Sequence, residues 1–222
     1  MDACCEQKAE EIKTLRGEHK KVLIVVLVIN AVLFVVEAGA GLLAHSTALL
    51  ADSLDMLGDS LVYGFSLYVL WRSAEWRATA AVLKGIVMAA FGVGVLAEAV
   101  YKITAAGVPV AETMGIVGLL VLLGNGICFL LLFRHRSDDL NMRSTWLCSR
   151  NDIIANLSVL VAAIGVKAFN ASWPDILVGA AIAALFLRSA FSVLRESFFE
   201  LRVLRSQSTS AAQLLERRVS DE

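Results

Sequence analysis

Apolar positions along the chain gather into six long runs, at about 21–43, 46–71, 79–102, 111–133, 145–168 and 175–197. Each is near or above the roughly 20 helical residues that cross about 30 Å of hydrocarbon. The connections are short and carry turn formers, such as Ala44-His45-Ser46, Gly107-Val108-Pro109 and Ser172-Trp173-Pro174-Asp175. The pattern predicts an all-α polytopic membrane protein, a bundle of six transmembrane helices forming one domain over 21–197. Tails at 1–20 and 198–222 flank it. The first run follows basic His19, Lys20 and Lys21 but exceeds 20 residues and leads into further spans, so it is expected to stay in the mature chain.

Polar residues interrupt this pattern at two places. The second run contains LLADSLDMLGDS, with Asp52, Asp55 and Asp59 inside an otherwise lipid-soluble helix. A carboxylate at the bilayer centre costs about 2.5–3.5 kcal/mol, so the three cost up to about 10, while the apolar residues of the span contribute only about 3–7. Their i, i+3, i+7 spacing puts all three on one stripe that can turn into the bundle. In the fifth run, TWLCSRNDIIANLS places Cys148, Asp152 and Asn156 every fourth residue, again on one face. Ser137 followed by Asp138 and Asp139 is a good N-cap, so this helix is expected to begin before its apolar run and carry Cys148 and Asp152 to the depth of the aspartates.

Composition and charge narrow the choice. Hydrophobic residues make up 58% of the 222 and charged ones 18%, outside the range of ordinary soluble domains. Basic residues lie in the N-terminal tail, near Arg72 and Arg77, between Arg134 and Arg150, and from Arg188 onward, while only Lys102 and Lys167 lie near the other turns. The positive-inside rule then puts both termini in the cytoplasm. A net charge of -1 with basic residues lining one membrane face gives no basis for nucleic-acid binding. The four cysteines suggest a reduced compartment and no disulfide framework. Asp55 with Asp59 and Cys148 with Asp152 form two i, i+4 pairs on different helices, four oxygen and sulfur ligands for a divalent ion. Tetrahedral geometry suits zinc, and the thiolate favours zinc or cadmium over magnesium, calcium or manganese.

These residues resemble the pattern of the cation diffusion facilitator family, over nearly the whole chain. Ser46, Asp52, Asp55 and Asp59 fall at the intervals of that family's second helix, Cys148 and Asp152 match the ligand pair of its fifth, and Asn30 and Glu37 in NAVLFVVEAGAGLLAHS resemble its first. The resemblance implies a six-helix, proton-coupled exporter of divalent transition metals in the cell membrane, a bacterial inner membrane. It implies metal ligation by Asp55, Asp59, Cys148 and Asp152. Asp52, Asn156, Asn151, Glu37 and Asn30 are candidates for supporting the ligands or relaying protons. Zinc, and cadmium with it, is expected as transported substrate, with no prosthetic group. Three features depart from the family. Cys148 stands where histidine is usual, leaving Asn151, Asn156 or water as alternative fourth ligands. The loop before the fifth helix has His135 but no histidine-rich tract. Only about 25 residues follow the sixth run, so the family's cytoplasmic domain is expected to be missing and a homodimer to form through the membrane part.

Clustered carboxylates in a low-dielectric site attract protons and metal alike, so the two compete and become coupled. The expected mechanism is alternating access: cytoplasmic loading of zinc, rocking of the bundle, and displacement of the ion by outside protons. A non-transporting membrane metal sensor or scaffold is the alternative class. An intramembrane aspartyl protease is another, since Leu57-Gly58-Asp59 resembles part of their catalytic sequence, but Leu57 replaces a required glycine; no enzymatic activity is expected. Glu98 is read as either a proton relay or a brace between helices, and Cys128 as a small apolar residue.

Overall fold

The computed structural model describes residues 17–69, 74–104, 107–134 and 140–220, and among them it is all-helical. Six helices follow one another: α1 (Gly17–Leu43), α2 (Thr47–Val69), α3 (Ala74–Thr104), α4 (Ala111–Arg134), α5 (Leu140–Phe169) and α6 (Trp173–Ser220). Neighbours in sequence pair as α1 with α2 and α4 with α5, while α3 pairs with the distant α6. The second helix touches α1, α3, α5 and α6, which makes it the centre of the bundle.

The surface and interior are those of a protein whose solvent is lipid. Large apolar side chains such as Val35, Ile103, Ile116, Ile164 and Phe191 point outward and are exposed, whereas Asn30, Glu37, Asp52, Asn125 and Asn156 are buried. Intramembrane polar groups face the bundle because hydrocarbon offers them no partner. The apolar core joins Leu49 and Leu54 of α2 to Met88 of α3, Val159 of α5 and Phe186 of α6. A smaller cluster ties Leu33 of α1 to Met56 and to Val121 of α4.

Small residues let the helices approach. A Cβ on Gly85 would lie 2.7 Å from Leu194, and one on Gly92 would lie 2.8 Å from Leu187. The two glycines and the two leucines are each seven apart, so α3 offers two notches and antiparallel α6 fills both. Tighter still, a Cβ on Gly179 of α6 would sit 2.6 Å from the Thr47 carbonyl carbon at the start of α2.

The turn from α1 to α2 is compact. His45 takes a left-handed φ of 51°, His45 N donates to Leu42 O at 3.3 Å, and Ser46 N donates to Gly41 O at 2.9 Å. These two bonds form a Schellman cap, which satisfies the last carbonyls of α1. Ser46 then serves as the N-cap of α2, its Oγ accepting from Leu49 N at 3.1 Å. Asn170, with a φ of 46°, gives the α5–α6 turn the same left-handed step.

Polar groups from three other segments converge on the α1–α2 turn. The buried Asp175 of α6 accepts from Ser46 Oγ (2.6 Å), Thr47 N (2.8 Å) and Ala48 N (2.9 Å), so a carboxylate from another helix completes the first turn of α2 and complements its dipole. Lys102 of α3, only 7% exposed, donates to His45 O at 2.6 Å and Thr47 Oγ1 at 3.0 Å, and lies 3.9 Å from Asp175 and 3.6 Å from Glu98. Val110 N donates to Ala44 O at 3.1 Å, pinning the start of α4. In the orientation expected from the distribution of basic residues, this is the outer end of the bundle.

Two details refine the expected six-helix bundle. Among the described residues five of the helices are long and apolar enough to cross a membrane by themselves, and α2 is not among them. Asp52, Asp55 and Asp59 lower its hydropathy, and α2 is carried by the helices around it. The sixth helix does not stop near residue 197 but runs 48 residues to Ser220. After Gly179 it meets no proline or glycine, and its far part is rich in Leu, Arg, Gln, Glu and Ala, which propagate helix. The fifth helix begins at Leu140, ahead of its apolar run as expected, although the proposed cap at Ser137, Asp138 and Asp139 lies outside the described residues.

Candidate metal centre and the polar network beside it

On α2 the acidic stripe is graded. Asp52 is fully buried, while Asp55 and Asp59, one and two turns further along, are half-buried. The three span about 10 Å of helix axis. Residues from Ala44 to Gly58 are buried apart from His45, Leu50 and Asp55, whereas Asp59, Ser60 and Leu61 open. Access to the acids therefore comes from the half of α2 that leads to its C-terminus, the cytoplasmic half in the expected orientation.

Opposite them on α5, Asp152 is half-buried and Asn156 is buried. Asp152 lies near enough to Asp52 for their charges to interact, and Asp55 does the same to Glu37 of α1. The backbone of α5 carries Cys148 one turn before Asp152, but the side chains of Cys148 and Asn151 lie outside the described residues. Among the described residues no three His, Cys, Asp or Glu side chains close into a metal-holding group. The helices thus bring Asp55, Asp59 and Asp152 to one region of the bundle without gathering them around a single point.

A hydrogen-bonded chain lies beside this acidic region. Asn125 Nδ2 of α4 donates to Asn156 Oδ1 at 2.9 Å, and Asn156 Nδ2 donates to Asp52 Oδ2 at 2.7 Å. The carboxyl of Glu37 is within hydrogen-bonding contact of Asp52. Four helices are thereby linked through side chains alone. Asn30 Nδ2, about two turns before Glu37 on α1, donates to Val26 O at 2.9 Å and approaches Cys128 Sγ of α4 at 3.9 Å. Asn156 therefore orients Asp52 through its nitrogen while its oxygen is engaged by Asn125. Glu98 pairs with Lys102 one turn further along the same helix at 3.6 Å, an ion pair within α3 and not the expected brace between helices, and it is not part of this chain.

Two participants escaped the reading of the sequence. Asn125 is a lone polar residue between Gly124 and Gly126 in an apolar run, and that isolation was its only signal. Asp175 reads as a turn residue, and nothing local marks it as the cap of a helix over a hundred residues away.

Comparison with known proteins identifies the family. The chain matches the Cation efflux transmembrane domain over residues 23–202. It is 27% identical to the "Cadmium, cobalt and zinc/H(+)-K(+) antiporter" of Bacillus velezensis over 202 residues, covering 83% of this chain and 64% of that protein. It is 29% identical to the "Zinc transporter ZitB" of Yersinia pestis over 105 residues, 47% of this chain and 34% of that protein. The chain thus spans less than two thirds of the length of each of these relatives. With the matched region reaching from α1 into α6, the chain is a multi-pass membrane protein of the cation efflux family, the cation diffusion facilitators.

Proposed function

We propose that the chain exports divalent transition-metal ions, zinc foremost and cadmium with it, in exchange for protons by alternating access. The observation that carries this reading is the central helix α2, which buries an acidic stripe beside Asp152 of α5 inside a membrane bundle. Asp55, Asp59 and Asp152 are the oxygen ligands, with Cys148 as the thiolate that tilts preference toward softer ions. The half-buried setting of Asp55 and Asp59 suits loading from the cytoplasmic side. The relatives' names support the ion class, one naming cadmium, cobalt, zinc and protons and the other zinc. Closing of the ligands around one point belongs to the metal-bound state, because acids repel one another until a doubly positive ion joins them.

Flux in vesicles tests the reading. Purified protein in liposomes with an imposed pH gradient is expected to move zinc, and Asp55→Ala or Asp152→Ala to lower the initial rate at least about tenfold, the loss for one ligand contact worth about 1.4 kcal/mol or more. Cys148→His is expected to shift preference from cadmium toward zinc. Zinc bound without movement would favour a sensor or scaffold, and normal transport by the two aspartate variants would remove the assigned site.

A further inference from the structure

We propose that Glu37 and Asp52 form a proton-carrying pair, distinct from the metal ligands, which gives up its proton when metal occupies Asp55, Asp59 and Asp152. The identity of the metal site in this statement rests on the function proposed above. The pair itself rests on the burial of both carboxyls on packed helices and on their oxygens left without donors among the described residues.

Both side chains are at 0% exposure. Glu37 Oε1 and Oε2 and Asp52 Oδ1 have no donor partner among the described residues, and yet the two carboxyls are in hydrogen-bonding contact with each other. Acceptor facing acceptor is not a hydrogen bond unless a hydrogen lies between them. Two bare carboxylates in contact inside hydrocarbon would carry a desolvation cost of several kcal/mol each plus their mutual repulsion. A cation between them removes both penalties. A metal ion would need four to eight donors and room for its shell. Among the described residues the hydrogen-bonded neighbours are the amides of Asn156 and Asn125, with Asn156 Nδ2 already donating to Asp52 Oδ2. A proton needs neither donors nor space, and one proton shared between the two oxygens satisfies the contact.

The charged groups around the pair account for its link to metal. On α2 itself Asp55 acts on Glu37, and from α5 Asp152 acts on Asp52. From α4 the facing polar groups are Asn125 and Cys128, which are uncharged. Among the groups that α3 and α6 bring to α2, Lys102 and Asp175 are engaged with the α1–α2 turn at the outer end. Lys84 of α3 is buried and has its own interactions. Among the described residues the charges that act on the pair from outside it include Asp55 and Asp152, the same two acids assigned to metal. With both bare, their negative charge holds the shared proton in place. When a divalent ion neutralises them, that hold is lost and the proton leaves. When the ion leaves, the pair takes a proton back. Exchange follows without the proton ever sitting on a metal ligand.

Infrared spectroscopy of the full chain in lipid tests the pair, because a protonated carboxyl has a C=O stretch separate from that of a carboxylate and sensitive to D2O. Metal-free wild type at neutral pH is expected to show such a band, and Glu37→Gln and Asp52→Asn each to abolish it, since an amide N–H then satisfies the remaining carboxylate. Two variants, together with the D2O shift read on wild type alone, keep the result independent of whether one substitution folds. Zinc added to wild type is expected to remove the band. Calorimetry in buffers of different ionisation enthalpy is then expected to show one proton fewer released per zinc in Glu37→Gln than in wild type. A spectrum unchanged by both substitutions overturns the pair, and a band that persists at saturating zinc overturns its coupling. If zinc fails to bind at all, the metal reading falls and the infrared result alone decides the proton site.

Discussion

Asn156 is the residue on which the buried network turns. Its amide spends the nitrogen on Asp52 and the oxygen on Asn125, so one side chain between α2 and α4 satisfies groups on both. Removing it strands a carboxylate oxygen and an amide in hydrocarbon. Asn156→Ala is expected to lower stability in mixed micelles by about 1–3 kcal/mol, read from the midpoint of detergent unfolding. At this scale the sequence spoke clearly for α2 and α5. Three acids in an apolar run are so costly that their spacing had to mean a shared interior face, and Asp52 and Asn156 do meet. It spoke faintly for Asn125, because one amide in a helix of leucines has no period to betray it. It was silent on Glu37 meeting Asp52, since two acids in different helices signal contact only once the packing is known.

Helix packing gives the next scale its prediction, through the different neighbours that three glycines meet. At Gly179 an added Cβ strikes the backbone of Thr47, which cannot move without breaking the cap of α2. At Gly85 the obstacle is the Leu194 side chain, which has other rotamers, and at Gly94 nothing lies within 4 Å. The order of destabilisation in Ala variants is therefore Gly179 first, by about 1–3 kcal/mol, then Gly85, with Gly94→Ala near neutral. Detergent unfolding of the three variants side by side checks the order. Element existence was legible because apolar runs of this length admit one solution in a bilayer, and the tight turns matched their Ser and Pro signals. The end of α6 was not legible. A membrane criterion marks where apolarity stops, whereas helix stops only at a breaker, and none follows Gly179.

Across the whole molecule, α1, α2, α3 and α6 meet at one buried ionic cluster, at the end expected to face outward. Asp175→Ala removes the acceptor for one hydroxyl and two backbone amides and takes from Lys102 the buried one of its two carboxylate neighbours, a loss of about 3–5 kcal/mol. Lys102→Met in the same chain is expected to recover about 1 kcal/mol of that loss, because the second change removes a buried charge left with the partly exposed Glu98 as its ionic partner. A double-mutant cycle on unfolding free energies measures the coupling, and strict additivity would show that the two residues act separately.

The same architecture bears on how such a chain reaches the bilayer at all. The acid-bearing α2 is too polar to partition by itself, yet it follows α1 after a turn of three residues whose caps form locally. Partitioning then concerns the hairpin as a unit. The greasy first helix supplies the drive and shields Asp52 with Glu37 on the way in, so the segment destined for chemistry never has to meet the lipid unaccompanied.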